Sequence, residues 1–458
     1  MIEKKYFYLY FTILFLVVII PFFIPYGGIV ADTLSYIRIA NDIPNIKSSL
    51  FPLGYPILLR FFYFLTNDFY FSGRIISILI VLFIGIFSYF KKFYFSETVV
   101  LLSTKIFIFC TYNLISEGLF LAGLYFLFYF INSLFAENKK GLSFILPTSI
   151  LLSSLFLIRY SGIFIYLSFI IFFLLNFKKI AFKNLKKEMF FTIILSGILI
   201  SIYMIFNYIN FGEMMGETER FPVDKSNISL DIIRNFLGII NLANPIFGVK
   251  PAHFTLITIV VEAILFIINI TFIYFIFKIF RKEKTWKSNL TVVFLLITSI
   301  TYLVFVIFTK FFQGIEELNT RMLSATSFCL FLAVIIIYFK TNFNKNIIFY
   351  LALFSLVFNV IYTVKEPQNF LKRKAEVERQ IENIKGKKYY FDDFKKVEKN
   401  RNEYHIPILN KTFYYEHGNQ QKSFINGNII MAKKPELTLL LKDTVQAKKL
   451  IIYSSAIK

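Results

Sequence analysis

Apolar runs of about 18 to 25 residues recur along most of this chain and constrain its fold more than any other feature. A helix of that length crosses the ~30 Å hydrocarbon core of a bilayer with its backbone polar groups satisfied internally. A composition of 57% hydrophobic residues with 61 phenylalanines excludes a water-soluble fold for 458 residues. The sequence therefore predicts an all-α polytopic membrane protein with eleven spanning helices, near 6–26, 70–90, 98–113, 116–136, 143–158, 161–177, 189–210, 253–279, 289–309, 322–340 and 346–364.

Short basic connections follow every second predicted helix. Cytoplasmic loops are enriched in Lys and Arg, so these connections indicate which helix ends face the cytoplasm. The net charge of +22 is accordingly assigned to loops and a tail that meet membrane lipid, and not to a nucleic-acid site. The basic connections are Lys91-Lys92, Lys139-Lys140, 178–187, 281–284 and Lys340 with Lys345, and Lys4-Lys5 before the first helix starts the same alternation.

This alternation predicts a cytoplasmic N-terminus and an uncleaved first helix. It also predicts that five polar segments meet on the outer face, at 26–60, 113–117, 159–162, 211–252 and 310–321. Lys105, inside the third apolar run, is expected to extend its ammonium toward the interface, with a wet cavity as the alternative.

The first of these segments contains Asp32, which precedes a short helical pattern that ends before Pro44. Asp32 is predicted to be the N-cap, with Tyr36 and Ala40 on the same helix face. The segment then reaches a turn at 51–56, whose two prolines and one glycine fix the chain direction. A carboxylate in so rigid a frame suits a catalytic site.

Two other regions stand outside the apolar pattern. The loop 211–252 carries an amphipathic stretch at 230–240, which predicts a juxtamembrane helix. From Lys365 the chain becomes polar and lysine-rich, first helical and then strand-like at 437–441 and 450–453. We expect a transmembrane domain at 1–364 and a small α+β extracytoplasmic domain at 365–458.

Ionisable residues near the predicted outer boundary are the remaining candidates for chemistry, because charge is costly there. Glu117 lies where an outer turn leads into a helix. Three arginines could bind a phosphate through the planar set of N–H donors on each guanidinium group. Helix-terminus stabilisation and headgroup anchoring are the alternative roles. The arginines are Arg159, Arg220 and Arg321.

The metal and thiol signals are weak. Three histidines lack zinc-ligand spacing, and no nucleotide-binding or nucleophile-elbow motif occurs. Cys110 and Cys329 lie in apolar runs and are predicted to be free thiols.

The order of these motifs resembles the GT-C superfamily of polyprenyl-phosphate-sugar-dependent glycosyltransferases, the group akin to protein mannosyltransferases, aminoarabinose transferases and RgtA/B/C/D-like enzymes. The resemblance spans about 1–364. It is carried by Asp32-Thr-Leu-Ser-Tyr36, Pro52-Leu-Gly-Tyr-Pro56, Ser116-Glu117, Arg159-Tyr-Ser-Gly162, Asn207 to Gly212 with Thr218 to Pro222, and Asn319-Thr-Arg-Met-Leu323. In two departures, a single Asp replaces the acidic pair of many relatives, and Ser324-Ala325 stands where a proline often follows.

The resemblance implies an inverting transferase of the bacterial cytoplasmic membrane that builds cell-envelope glycans. Asp32 would be the general base, and Glu117 would orient its neighbourhood or the sugar. Arg321, with Arg159 and Arg220, would bind the donor phosphate, while Tyr36 and Tyr55 would contact the sugar. No cofactor is certain; the single Asp leaves Mg²⁺ or Mn²⁺ open, with Asp32 as the ligand. The acceptor would be a lipid, glycan or protein.

Two other classes stay open at this stage. A transporter or flippase of lipid-linked glycans would carry charges within helices along a transmembrane path, whereas here the charges cluster at one surface. A polysaccharide polymerase or ligase would use arginines and a histidine in large outer loops, without an Asp-led first loop.

Overall fold

Helices make up almost all of the structure, a computed structural model that describes residues 3–137, 139–178, 185–217, 228–248, 255–312, 318–364 and 367–382, with short pieces at 389–392, 406, 409, 414–417 and 451–453. The α-helices are α1 Lys4–Ile19, α2 Ala31–Asp42, α3 Gly54–Thr66, α4 Phe69–Phe90, α5 Phe95–Leu102, α6 Lys105–Tyr112, α7 Ser116–Ala136, α8 Leu142–Ile158, α9 Gly162–Asn176, α10 Lys186–Phe211, α11 Ile228–Ile240, α12 Leu256–Lys282, α13 Leu290–Phe312, α14 Ser324–Lys340, α15 Lys345–Thr363 and α16 Phe370–Glu382.

The chain is a multi-pass membrane protein. Within the described ranges seven helices are long and apolar enough to cross a membrane, and the bent pair α5 and α6 makes an eighth if it counts as one span. Four shorter apolar helices accompany them in the same ranges: α8, α9, α14 and the stretch Ile232–Ala243, which begins within α11. Each of the eleven predicted runs coincides with one of these helices or with the bent pair, because apolar length is the dominant local signal.

The third predicted helix, 98–113, is wrong as a single element. It consists of α5 and α6, which bend by 65° at Ser103 and Thr104. Thr104 has extended backbone angles (φ −72°, ψ 151°), so the helical hydrogen bonding is interrupted there. The freed groups find tertiary partners: the carbonyl of Ser103 accepts a hydrogen bond from the Ser355 hydroxyl at 2.9 Å, and the Lys105 amide donates to the carbonyl of Pro245 at 2.9 Å.

The expectation that Lys105 reaches toward the interface is wrong as well. Its side chain is buried, and the ammonium donates to the carbonyl oxygens of Asn241 at 2.7 Å and Phe247 at 2.9 Å. A buried ammonium needs such acceptors, because an unsolvated charge is costly. Lys105 therefore fastens the segment after α11 to the bend between α5 and α6.

Three α-helices of the described residues lie or begin in the polar segments: α2, α3 and α11. The predicted juxtamembrane helix at 230–240 is present as α11. Only the first half of the turn predicted at 51–56 lies outside a helix, because α3 begins at Gly54 and continues to Thr66.

The chain folds into two compact units. Unit 1 consists of 1–18, 47–55 and 76–363, and unit 2 of 19–46, 56–75 and 364–458. Unit 2 thus combines pieces of the first polar segment with the C-terminal region. The predicted domain division at 364/365 stays a prediction.

Unit 1 is a helical bundle in which α13 packs against α14 and α9, and α8 packs against α7 and α10. Phenylalanine rings fill its centre: Phe294 of α13 lies 5.5 Å from Phe128 of α7 and 5.0 Å from Phe172 of α9, centroid to centroid. Helices α10, α12 and α15 leave most of their apolar side chains exposed, as expected of lipid-facing positions.

One end of this bundle is basic. The Lys5 ammonium donates to Asn346 at 2.7 Å, and the Lys282 ammonium lies 4.0 Å from the centroid of the Phe343 ring. The N-terminus, the end of α12 and the α14–α15 connection therefore meet at this end.

In unit 2 the described pieces after α16 include a three-stranded parallel sheet of order β2-β1-β3, with β1 Tyr389–Asp392, β2 Tyr414–His417 and β3 Ile451–Tyr453. The strand β3 coincides with the predicted strand at 450–453. The other predicted strand, 437–441, lies outside the described residues.

Candidate active site

Glu117 is the centre of a buried ion cluster in unit 1. The residue before α7, Ile115, is extended (φ −130°, ψ 155°), and Glu117 occupies the first helical turn. A negative charge there interacts favourably with the positive end of the helix dipole. Its side chain has no exposed surface. A Cβ on the adjacent Gly118 would lie 2.9 Å from the carbonyl oxygen of Cys110, so α6 approaches closely enough to help seal the carboxylate.

Two guanidinium groups meet this carboxylate at the same oxygen. Arg159 Nη1 lies 2.5 Å from Glu117 Oε1, and Arg321 Nε lies 3.5 Å from it. Neither Glu117 oxygen has a hydrogen bond with favourable angles within the described residues, so these contacts are ion pairs. The two arginine side chains keep 16% and 15% exposure, whereas Glu117 keeps none. The cations are thus the accessible part of the cluster.

Arg159 follows directly on α8 and is extended (φ −149°, ψ 133°). Its amide donates to Leu155 at 3.0 Å, and its carbonyl accepts from the amide of Gly162 at 2.8 Å. A Cβ at Gly162 would lie 2.4 Å from the backbone of Leu155 and Phe156, so a larger residue would open this tight α8–α9 turn. Arg159 Nη1 also donates to the Ser116 hydroxyl at 3.3 Å.

Arg321 is held by a local turn before α14. The Asn319 side-chain oxygen accepts from the amides of Arg321 at 2.9 Å and Met322 at 3.0 Å, a common asparagine turn. The amide of Leu318 donates to Asn235 of α11 at 2.7 Å. The juxtamembrane helix thus anchors the segment that carries Arg321.

Two guanidinium groups meet at the Glu117 carboxylate. In a site of low effective dielectric, guanidinium groups attract an anion strongly. Arginine forks also match the oxygens of a phosphate. The cluster can therefore bind a phosphate group, with Glu117 fixing the positions of both arginines.

Part of the first polar segment packs beside Arg159. A Cβ at Gly54 would lie 2.7 Å from the carbonyl oxygen of Leu157, two residues before Arg159. The Tyr160 hydroxyl donates to the carbonyl of Ser49 at 2.7 Å, and the Ser49 hydroxyl donates to the buried carboxylate of Glu213. The turn near Pro52 is thus fixed against the end of α8.

Asp32 lies in unit 2, and the prediction that it is an N-cap is wrong. The N-cap is Val30, and Asp32 is the second residue of α2. The Thr33 hydroxyl accepts from the Val30 amide at 3.1 Å, so Thr33 satisfies a terminal donor. Asp32 is half-buried in the first turn, where its charge favours the helix N-terminus. Its role as a base stays a prediction.

The other predicted site residues are two buried tyrosines and one arginine outside the described ranges. Tyr36 and Tyr55 are each 1% exposed, so neither presents an open ring face to a sugar. The arginine is Arg220. The roles of all three stay predictions.

Several positioning residues escaped sequence reasoning. Asn235 and Asn319 hold the Arg321 segment, and Asn241, Asn244 and Asn269 form a buried chain of amide hydrogen bonds of 2.8 and 2.9 Å. The spacing of Asn319 two residues before Arg321 is a usable turn signal. The partners of the others lie far away in sequence and leave no local mark.

The predicted dependence on Mg²⁺ or Mn²⁺ stays a prediction. In the ranges that the structure describes, no group of three or more His, Cys, Asp or Glu residues is placed to hold an ion. Glu117, an acidic candidate, is already committed to two arginines. The two cysteines are free and buried, as predicted.

These features define a multi-pass helical membrane protein with a buried carboxylate–arginine cluster near the start of α7. The chain is similar to the crystal structure of ArnT from Cupriavidus metallidurans bound to undecaprenyl phosphate, with a TM-score of 0.59 and 8% identity over 98% of this chain and 89% of that chain. The apo state of ArnT from the same organism matches with a TM-score of 0.45 and 9% identity over 96% of this chain and 91% of that chain.

The likeness to the structure bound to undecaprenyl phosphate shows that the two chains share a fold. No protein-family model matches the sequence, and no curated protein matches it.

Proposed function

We propose that this protein is a membrane glycosyltransferase that moves a sugar from a polyprenyl-phosphate-linked donor to an acceptor hydroxyl on the outer face of the cytoplasmic membrane. The observation that carries the proposal is the Glu117–Arg159–Arg321 cluster, whose accessible groups are cationic. The fold supports it, because the similar ArnT structure is bound to undecaprenyl phosphate.

The chemistry asks two things of the protein. When the glycosidic bond from the sugar's anomeric carbon to the phosphate oxygen breaks, the electron pair goes to that oxygen and the phosphate gains a second negative charge. Arg159 and Arg321 would stabilise that charge as it develops, which lowers the barrier. Glu117 would act as a positioning residue by keeping both guanidiniums in place.

The acceptor must lose its proton as its oxygen attacks the anomeric carbon. We propose Asp32 as the base that takes the proton. One displacement of this kind inverts the anomeric centre. The sugar, a hexose or a pentose, and the acceptor, a lipid, glycan or protein, are open within this proposal.

The finer architecture belongs to the same proposal. It comprises eleven spans, counting α8, α9, α14 and the bent pair α5 and α6 as one span each. It also comprises a cytoplasmic N-terminus, a transmembrane domain at 1–364 and an extracytoplasmic α+β domain at 365–458. The basic end formed by Lys5, Lys282 and Asn346 supports this orientation, since basic connections favour the cytoplasm.

Binding of undecaprenyl phosphate to the purified protein tests the phosphate site without knowledge of the sugar. Arg321→Lys keeps the charge and loses the planar fork. Loss of charge-assisted hydrogen bonds, about 1.5 to 3 kcal/mol, predicts a Kd raised roughly 10-fold to 100-fold. Arg281→Lys, an exposed arginine at the end of α12, is the matched control and should bind normally.

Equal Kd values for Arg321→Lys and the wild type would reduce Arg321 to a membrane anchor. Failure of the wild type to bind the lipid phosphate would remove the proposed donor class.

A further inference from the structure

The helix α16 lies in the C-terminal region, yet it packs against the first polar segment within unit 2. Lys374 of α16 is buried, and its ammonium lies 2.6 Å from Asp68 Oδ2 and 2.6 Å from Glu378 Oε1. Asp68 is also buried. A buried pair of this kind is costly to break on one side, because the other charge is left uncompensated. The Lys374–Asp68 contact therefore fixes α16 to the segment before α4.

Asp68 serves two elements at once. Its second oxygen, Oδ1, accepts from the amides of Tyr70 at 2.7 Å and Phe71 at 3.2 Å, so Asp68 caps α4. One carboxylate thus joins the start of α4 to α16.

A second contact lies beside a strained turn. Tyr26, Gly27 and Gly28 have positive φ angles of 58°, 62° and 72° in succession. The ring of Phe370, the first residue of α16, lies so close that a Cβ at Gly27 would be 2.7 Å from its Cδ1. The same ring lies 4.6 Å from the Tyr70 ring, centroid to centroid.

Hydrogen bonds fix this turn further. Arg74 Nη2 donates to the carbonyl of Gly27 at 2.8 Å, and the Tyr70 hydroxyl donates to the carbonyl of Pro21 at 3.2 Å. The amide of Gln368, just before α16, donates to the carbonyl of Phe23 at 3.0 Å. The left-handed backbone conformation is unfavourable for residues other than glycine, such as Tyr26, so the turn depends on these contacts.

The turn leads directly into α2, which carries Asp32 in its first turn. Its geometry decides where α2 begins and in which direction it leaves. We infer that α16 is a positioning element for Asp32, with Lys374 and Phe370 as its two positioning residues. The helix α16 is then needed for transfer. The part of this inference that concerns transfer rests on the proposed function.

Lys374→Met and its matched control Lys372→Met test the inference in the full-length protein. Lys372 lies on the same helix but is exposed. Hydrogen exchange of the backbone amides at 23–42 should become faster in Lys374→Met and stay at the wild-type rate in Lys372→Met. Lys374→Arg keeps the charge and should restore slow exchange, at least in part.

Transfer kinetics provide the second readout. Misplacing a catalytic group predicts a kcat lowered about 10-fold to 100-fold in Lys374→Met. The KM for the donor should change less than twofold, because Arg159 and Arg321 belong to unit 1. A general loss of folding would instead lower the amount of active protein and leave kcat per folded molecule unchanged.

Unchanged exchange at 23–42 in Lys374→Met overturns the inference, whatever the activity. Faster exchange with wild-type kcat overturns the link between α16 and Asp32. If the wild type transfers no sugar from any polyprenyl-phosphate donor, the proposed function fails, and the exchange rates alone decide whether α16 holds the turn.

Discussion

At the scale of single residues, substitution of Asp32 distinguishes two roles of its carboxylate, stabilisation of the helix N-terminus and general base. The N-cap of α2 is Val30 and Thr33 satisfies its amide, so Asp32→Asn leaves the start of the helix intact. A favourable charge near the helix terminus is lost, which costs about 0.3 to 1 kcal/mol. We expect a folded protein whose sugar transfer falls roughly 10²-fold, the usual scale for losing a general base.

Asp42→Asn, at the other end of α2, is the matched control for the loss of a carboxylate and should transfer normally. The measurement is the initial rate of polyprenyl phosphate release, normalised to folded protein. Normal turnover in purified Asp32→Asn would show that Asp32 is not the general base.

Metal dependence also belongs to the residue scale. Asp32 alone is a poor site for a divalent cation, which prefers several oxygen ligands. We expect a chelator to reduce transfer without abolishing it, with Mg²⁺ or Mn²⁺ restoring the lost part. Complete loss of transfer in the chelator, reversed by either ion, would show that the metal is essential.

At the scale of elements, Gly54 shows how a turn is tied to the site. A Cβ there would lie 2.7 Å from the carbonyl oxygen of Leu157 and 3.0 Å from the amide of Ile158. Backbone atoms cannot rotate away, so Gly54→Ala should destabilise the protein by about 1 to 3 kcal/mol and weaken undecaprenyl phosphate binding by moving Arg159. Thermal unfolding and the Kd measure the two effects.

Gly123→Ala is the control, because its Cβ would meet only the flexible end of the Leu155 side chain, at 2.9 Å. The stability and the Kd of Gly123→Ala should be closer to those of the wild type than the values of Gly54→Ala are. If Gly54→Ala is as stable as Gly123→Ala and binds lipid phosphate equally well, the turn does not support Arg159.

Elements also show what local sequence can and cannot predict. The apolar runs predicted the helices of unit 1, because length and hydropathy are local properties. The bend between α5 and α6 was not predictable, since Ser355 and Pro245, which satisfy the opened backbone, lie far along the chain. The charge alternation predicted that Glu117, Arg159 and Arg321 share one end of the bundle, but their contact at one carboxylate oxygen depends on packing.

At the scale of the whole molecule, helix direction connects the ion cluster to the basic end. The helix α14 begins three residues after Arg321 and ends at Lys340, so the cluster and the basic end lie at opposite ends of the bundle. The helix α15 then starts at Lys345 and runs back to Thr363, whereas α12 finishes at Lys282 in the basic end. Basic connections favour the cytoplasm, so α15 should leave the membrane on the outer face.

A reporter that works only outside the cytoplasm tests this orientation. Fused after Lys365 it should be active, and fused after Lys284 it should be inactive, because the two fusion points follow helices that run in opposite senses. A cytoplasmic reporter should give the inverse pattern at both positions. If the fusion after Lys365 behaves as cytoplasmic, the ion cluster and the C-terminal region cannot both lie outside, and the proposed acceptor on the outer face is lost.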